Sequence, residues 1–116
     1  MAVDNCIFCK IAGGVVPTNK IHEDYVCIAF NDLEPQAPMH ILIIPRVHID
    51  SLDMATRAHQ EMLGHLLLTA AGIAREKGFA TDGYRVVINT NGDGGQTVFH
   101  LHVHLLAGRK LVFPPG

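Results

Sequence analysis

The chain alternates between short apolar runs and one long stretch in which apolar residues return every three or four positions. From Thr56 to Lys77, residues Met62, Leu63, Leu66, Leu67, Ala70, Ile73 and Ala74 keep helical spacing, and Gly78 follows Arg75 and Lys77 as a stop. This predicts an amphipathic helix over 56–77 that covers one face of a sheet. Four runs rich in branched residues and bounded by turn formers predict strands: YVCIAF (25–30), HILIIP (40–45), YRVVINT (84–90) and FHLHVHLLA (99–107). A short helix is expected around Cys9 to Ala12. Strands, one long helix and further strands predict an α+β fold, a mainly antiparallel sheet with the helix on one side. No repeat or linker divides the 116 residues, so a single domain over 1–116 is expected.

In the last run His100, His102 and His104 alternate with Leu101, Val103 and Leu105. In extended chain such neighbours point to opposite faces, so one face packs and the other carries three imidazoles. The α-carbons of His100 and His104 then stand roughly 13 Å apart, which argues against one shared ion. CIFC offers two thiolates, Cys6 and Cys9, at a spacing common in zinc sites, and His48 and His100 are candidates to complete a tetrahedral structural set. His102 and His104 remain, just past the turn NGDGGQ.

Gly92, Gly94 and Gly95 of that turn let backbone amides approach an anion, and Gln96 and Thr97 add side-chain donors. The turn is no P-loop, because no Gly-Lys-Ser/Thr follows, and no dinucleotide fingerprint, because it precedes a strand. A neutral imidazole facing a phosphate held by amides is a nucleophile available near pH 7. Cys27, inside an apolar run, reads as a core thiol.

Charge narrows the partners. A formal net charge of -2 and the lack of any basic run argue against a nucleic-acid surface. The longest apolar stretch, ILIIP, is far short of a membrane span, and MAVDNCIFCK lacks the apolar core of a signal peptide. With an odd count of three cysteines, a cytoplasmic setting is expected.

HLHVHLL with a GGQ turn upstream is similar to the signature of the histidine triad, or HIT, superfamily of nucleotide hydrolases and transferases. IFCKIAGGVVP, AFNDLEPQAPMHILIIPRVHI, DGYRVVINTNGDGGQTVFHLHVHLLAGR and the closing PPG resemble its Hint branch. The resemblance implies a HIT-like fold whose sheet extends across a homodimer. It implies a purine nucleoside phosphoramidase that hydrolyses adenosine 5'-monophosphoramidate-type P–N substrates to AMP and an amine, through a nucleotidyl-histidine intermediate. His102 is then the nucleophile, His104 contacts the phosphate, and His40 supports the leaving-group side. Thr97 supplies the hydroxyl where serine is common. Asp32 matches the carboxylate on the ribose hydroxyls; Ile11, Phe30, Asn31 and Leu33 match positions around the base, with Asn31 replacing a histidine of eukaryotic members. Asn89, Gly95, Gln96, Thr97 and Val98 match the α-phosphate segment.

The resemblance further implies structural zinc on Cys6, Cys9, His48 and His100, no catalytic metal, and AMP and GMP as ligands. It also places the apolar tail KLVFPPG, with Phe113, toward a partner's site. The competing readings are a dinucleoside polyphosphate hydrolase of the same superfamily, a hydrolase with a catalytic zinc on the triad, and a zinc-stabilised nucleotide-binding protein with little turnover.

Overall fold

Between Pro17 and Asp24 lies a strand that the hydrophobic pattern does not announce. The computed structural model describes Val3 and residues 5–116. It forms α1 (Ile7–Ala12), β1 (Lys20–Glu23), β2 (Cys27–Asn31), β3 (Met39–Pro45), α2 (Gln60–Glu76), β4 (Tyr84–Val87) and β5 (Val103–Ala107). The strands make one antiparallel sheet in the order β1-β2-β3-β5-β4, with the helices on its two faces. β1 reads KIHE, with Ile21 as its single aliphatic residue, so no alternation marks it.

β3 is paired on both sides and all seven of its residues are buried, which is why ILIIP, after His40, is apolar at every position. Its faces still differ. Met39, Ile41 and Ile43 pack with Ala29, Val103, Leu105 and the α2 residues Leu66, Ala70, Ile73 and Ala74. Leu42 and Ile44 pack with Ile28, Phe30 and the α1 residues Phe8, Cys9 and Ile11. His40, on the same face as Leu42, is thereby aimed at the α1 side of the sheet.

α2 begins four residues later than its periodicity predicts. Thr56 caps a short 3-10 turn over Arg57–His59, accepting from the Ala58 amide, and the α-helix starts only at Gln60. Gly78, at φ +86°, ends it in a conformation that disfavours any side chain. Asp24 ties the helix to the sheet edge: its Oδ2 accepts from His22 Nε2 of β1 at 2.6 Å and from His65 Nε2 of α2 at 2.7 Å.

Two expected strands are shorter than predicted, and for one reason. β5 starts at Val103 instead of 99, and β4 stops at Val87 instead of 90, at the pair Val87↔His104. Ahead of β5 the chain turns to other partners: the Leu101 amide donates to Ile49 O at 2.7 Å. Residues 88–90 then have no ladder to join. The alternation survives the loss of the ladder, since Leu101, Val103 and Leu105 all enter the α2-side core.

Candidate active site and metal centre

The three histidines of the triad go to three different tasks. Each neutral imidazole carries one N–H and one lone pair, and a carbonyl or backbone amide next to one nitrogen decides which is which. His100 donates from Nε2 to Pro45 O at 2.8 Å, leaving a lone pair on Nδ1. His102 donates from Nδ1 to His100 O at 2.8 Å, leaving its lone pair on Nε2. For His104 the assignment runs through His40. The Gln36 amide donates to His40 Nδ1 at 3.0 Å, so His40 carries its proton on Nε2 and passes a hydrogen bond to His104 Nδ1 at 2.9 Å. His104 is left with an N–H on Nε2. The site thus holds a lone pair on His102 and a donor on its neighbour His104.

Burial favours the neutral forms of His104 and His40. It lowers the His104 pKa to about 4, helped by the nearby His102 and His40 rings. It lowers that of His40 as well, against the opposing pull of Asp32, whose Oδ2 lies 3.4 Å from His40 Nε2.

His102 and His104 open into a cleft of about 650 Å³. Ile11, Phe30, Asn31, Asp32, Leu33, His40, Gly95, Thr97 and Val98 line it with them, as do Ile7, Phe8, Glu34, Gln36 and Leu42. Asn89 does not. Gln96 is absent from the lining too, and this corrects the reading of its side chain as a donor to the ligand. The buried amide accepts from the Asn91 amide at 2.8 Å and donates to Asp50 O at 2.7 Å and Val98 O at 3.1 Å, so it builds the turn. The turn needs glycine for space and for angle. A Cβ on Gly94 would stand 2.4 Å from Thr90 O, and Gly95 adopts φ +83°.

At the far end of the same segment, His100 meets the cysteines. Its Nδ1 lies 3.3 Å from Cys6 Sγ and 3.5 Å from Cys9 Sγ, and His48 Nδ1 lies 3.3 Å from Cys9 Sγ. Zinc with Zn–S near 2.3 Å and Zn–N near 2.0–2.1 Å puts neighbouring S and N ligands about 3.6 Å apart, so the donor set fits a tetrahedral ion. The outer nitrogens are held as such sites hold them, His100 on Pro45 O and His48 Nε2 on Asp50 Oδ1 at 2.7 Å. By the same measure the Asp24 cluster is no ion site. Its 2.6 and 2.7 Å contacts are hydrogen-bond lengths, below the roughly 3 Å between neighbouring ligands on one ion.

The family model for the HIT domain matches residues 13–111. The chain belongs to the HIT family. A protein named purine nucleoside phosphoramidase, from Escherichia coli K12, is 44% identical over 108 residues, which cover 93% of this chain and 91% of that one. The crystal structure of a HIT family hydrolase from Legionella pneumophila superposes with a TM-score of 0.95 at 46% identity, covering 97% of this chain and all of that one (100%). A zinc-bound histidine triad family protein from Mycobacterium smegmatis superposes with a TM-score of 0.80 at 32% identity, covering 94% of this chain and 81% of that one.

Sequence reasoning passed over two residues that matter in this HIT domain. Phe8 sits between the cysteines and presses edge-on against the His102 ring, with centroids 5.1 Å apart at 86°. Its signal was faint: an aromatic inside a cysteine motif. Gln36, between Pro35 and Pro38, acts through its backbone amide, which no side-chain pattern reveals.

Proposed function

We propose that this HIT domain is a purine nucleoside phosphoramidase, with His102 as the nucleophile. The observation that carries the reading is the His102–His100 carbonyl bond, which puts the His102 proton on Nδ1 and leaves an Nε2 lone pair on an imidazole that lines the cleft. Nε2 attacks phosphorus and the substrate P–N bond breaks. The amine leaves with a proton, and His102 holds the nucleotidyl group. Water then attacks phosphorus, the P–His bond breaks, and the nucleoside monophosphate departs as Nε2 recovers its lone pair. His104 donates from Nε2 to a phosphoryl oxygen, and Gly95, Thr97 and Val98 surround the phosphate. Asp32 takes the ribose, with Ile11, Phe30, Asn31 and Leu33 around the base.

Hydrolysis of dinucleoside polyphosphates asks the same cleft to hold additional anionic groups. Its charged lining residues are Asp32 and Glu34, with no Lys or Arg, which favours a substrate with a single charged phosphoryl group. The zinc reading rests on Cys6, Cys9, His48 and His100. An ion held by these four residues would be structural, fastening α1 to the segment that leads into the catalytic histidines.

Steady-state turnover of adenosine phosphoramidate, guanosine phosphoramidate and diadenosine polyphosphates tests the substrate class, and the first two should dominate. His102→Ala should cut turnover by several orders of magnitude while AMP binds within about tenfold of wild type. Rapid acid-free quenching should trap a nucleotide on His102. A folded His102→Ala protein with substantial turnover would refute covalent catalysis.

A further inference from the structure

We infer that Arg109 is a positioning residue of this site, acting through the backbone of Gln36 to set the proton positions on His40 and His104. The inference rests on the phosphoramidase reading above for its kinetic readout, though not for its structural one. Arg109 lies just beyond β5, outside the cleft. Its Nε and Nη2 both donate to the Gln36 carbonyl, at 3.2 and 2.9 Å. Beside it, Gly108 at φ +100° presses on Pro38; a Cβ there would stand 2.7 Å from the proline ring. These two contacts clamp the loop between Asp32 and His40 from behind. The loop is closed at its ends by the Asp32 amide on His40 O at 2.9 Å.

What the clamp holds in place is one donor. The Gln36 amide reaches His40 Nδ1, which puts the His40 proton on Nε2 and so makes His104 Nδ1 an acceptor and His104 Nε2 a donor into the cleft. If Gln36 retreats, His40 is free to carry its proton on Nδ1. Two lone pairs then face each other between His40 and His104, unless His104 also turns its proton inward and loses its donor to phosphate. The same amide bonds only neutral His40, so its loss also eases protonation of that ring.

Arg109→Ala should therefore lower kcat by about tenfold to a hundredfold with KM changed less than about threefold, as expected when a catalytic group is misplaced but the pocket is intact. The acidic limb of the rate profile should move to higher pH by about 0.5–1 unit, the size of one net hydrogen bond. Arg109→Lys, which retains one donor, should fall between. Lys110→Ala, which removes a neighbouring charge, should match wild type. Long-range ¹H–¹⁵N spectra of the imidazoles read the tautomers without any substrate: His40 should be Nε2–H in wild type and mixed in Arg109→Ala. An unchanged His40 tautomer and acidic limb in folded Arg109→Ala overturns the inference, whether or not activity falls. Failure of wild type to turn over phosphoramidates sinks the substrate reading alone, since the tautomer experiment still decides this one.

Discussion

Gln96→Ala separates two roles for a residue that sits between the cleft-lining Gly95 and Thr97. If its amide were a phosphate ligand, removal would cost affinity and leave the fold alone. The structure gives it three intramolecular bonds, to the Asn91 amide, Asp50 O and Val98 O, in a buried position. Each net bond contributes about 0.5–1.5 kcal/mol, and a partner left buried and unpaired costs more. Water can enter from the exposed side of the turn and recover part of this, so a loss of about 2–4 kcal/mol is expected. For a chain of this size that corresponds to a drop in melting temperature of roughly 8–20 °C. Gln96→Glu should be as damaging, because it keeps the acceptor for Asn91 but turns a carboxylate oxygen toward two carbonyls. Thermal and urea unfolding, with AMP titration at a temperature where each variant is folded, make the measurement. A Gln96→Ala protein that melts with wild type but binds AMP much more weakly would refute the structural role.

Further expectations follow from other parts of the molecule. Cys9→Ala, or chelation of wild type, should lower both bound zinc and melting temperature, by metal analysis and calorimetry, because the binding energy of a structural ion is folding energy. His104 sits at a pKa of about 4 against about 6.5 when unfolded, so its neutral form contributes fully above pH 6.5 and that stability is lost as pH falls toward 4. Urea midpoints should drop accordingly by an amount worth about 1–3 kcal/mol, and His104→Asn should flatten the profile. Among the described residues the outer edge of β4 has no partner strand, and a homodimer built on it should appear as twice the chain mass in light scattering at micromolar concentration. Deleting residues 111–116 should then change amine preference more than melting temperature.

The fold was readable where burial is one-sided or complete. β3 is buried on both faces and α2 on one, and those demands write themselves into HILIIP and into the spacing of Leu66, Ala70 and Ile73. β1 pairs through its backbone with little side-chain burial, so KIHE carries no such mark. Cys6, Cys9, His48 and His100 could be grouped from residue type, and the structure brings their ligand atoms within 4.8 Å of one another. Gln36 could not be found this way, because the atom that acts is a peptide nitrogen common to nearly every residue. The side chain of Gln96 misleads for the opposite reason. Its type suits an anion, yet only the path of the chain through Asp50 and Asn91 shows where its amide is spent.

On the proposed reading, the absence of Lys and Arg from the cleft among the described residues bears on how a nucleotide arrives, beyond how it is held. Asp32 and Glu34 are the carboxylates of a lining that, among the described residues, includes no Lys or Arg, on a chain of net charge -2. The field there opposes an incoming anion instead of drawing it in. Encounter gains no electrostatic attraction, so added salt, which slows capture by lysine-rich phosphate sites, screens a repulsion here and should leave association unimpaired or faster. Discrimination then falls on the lifetime of the bound state, where an extra phosphate finds no counter-charge and dissociates quickly.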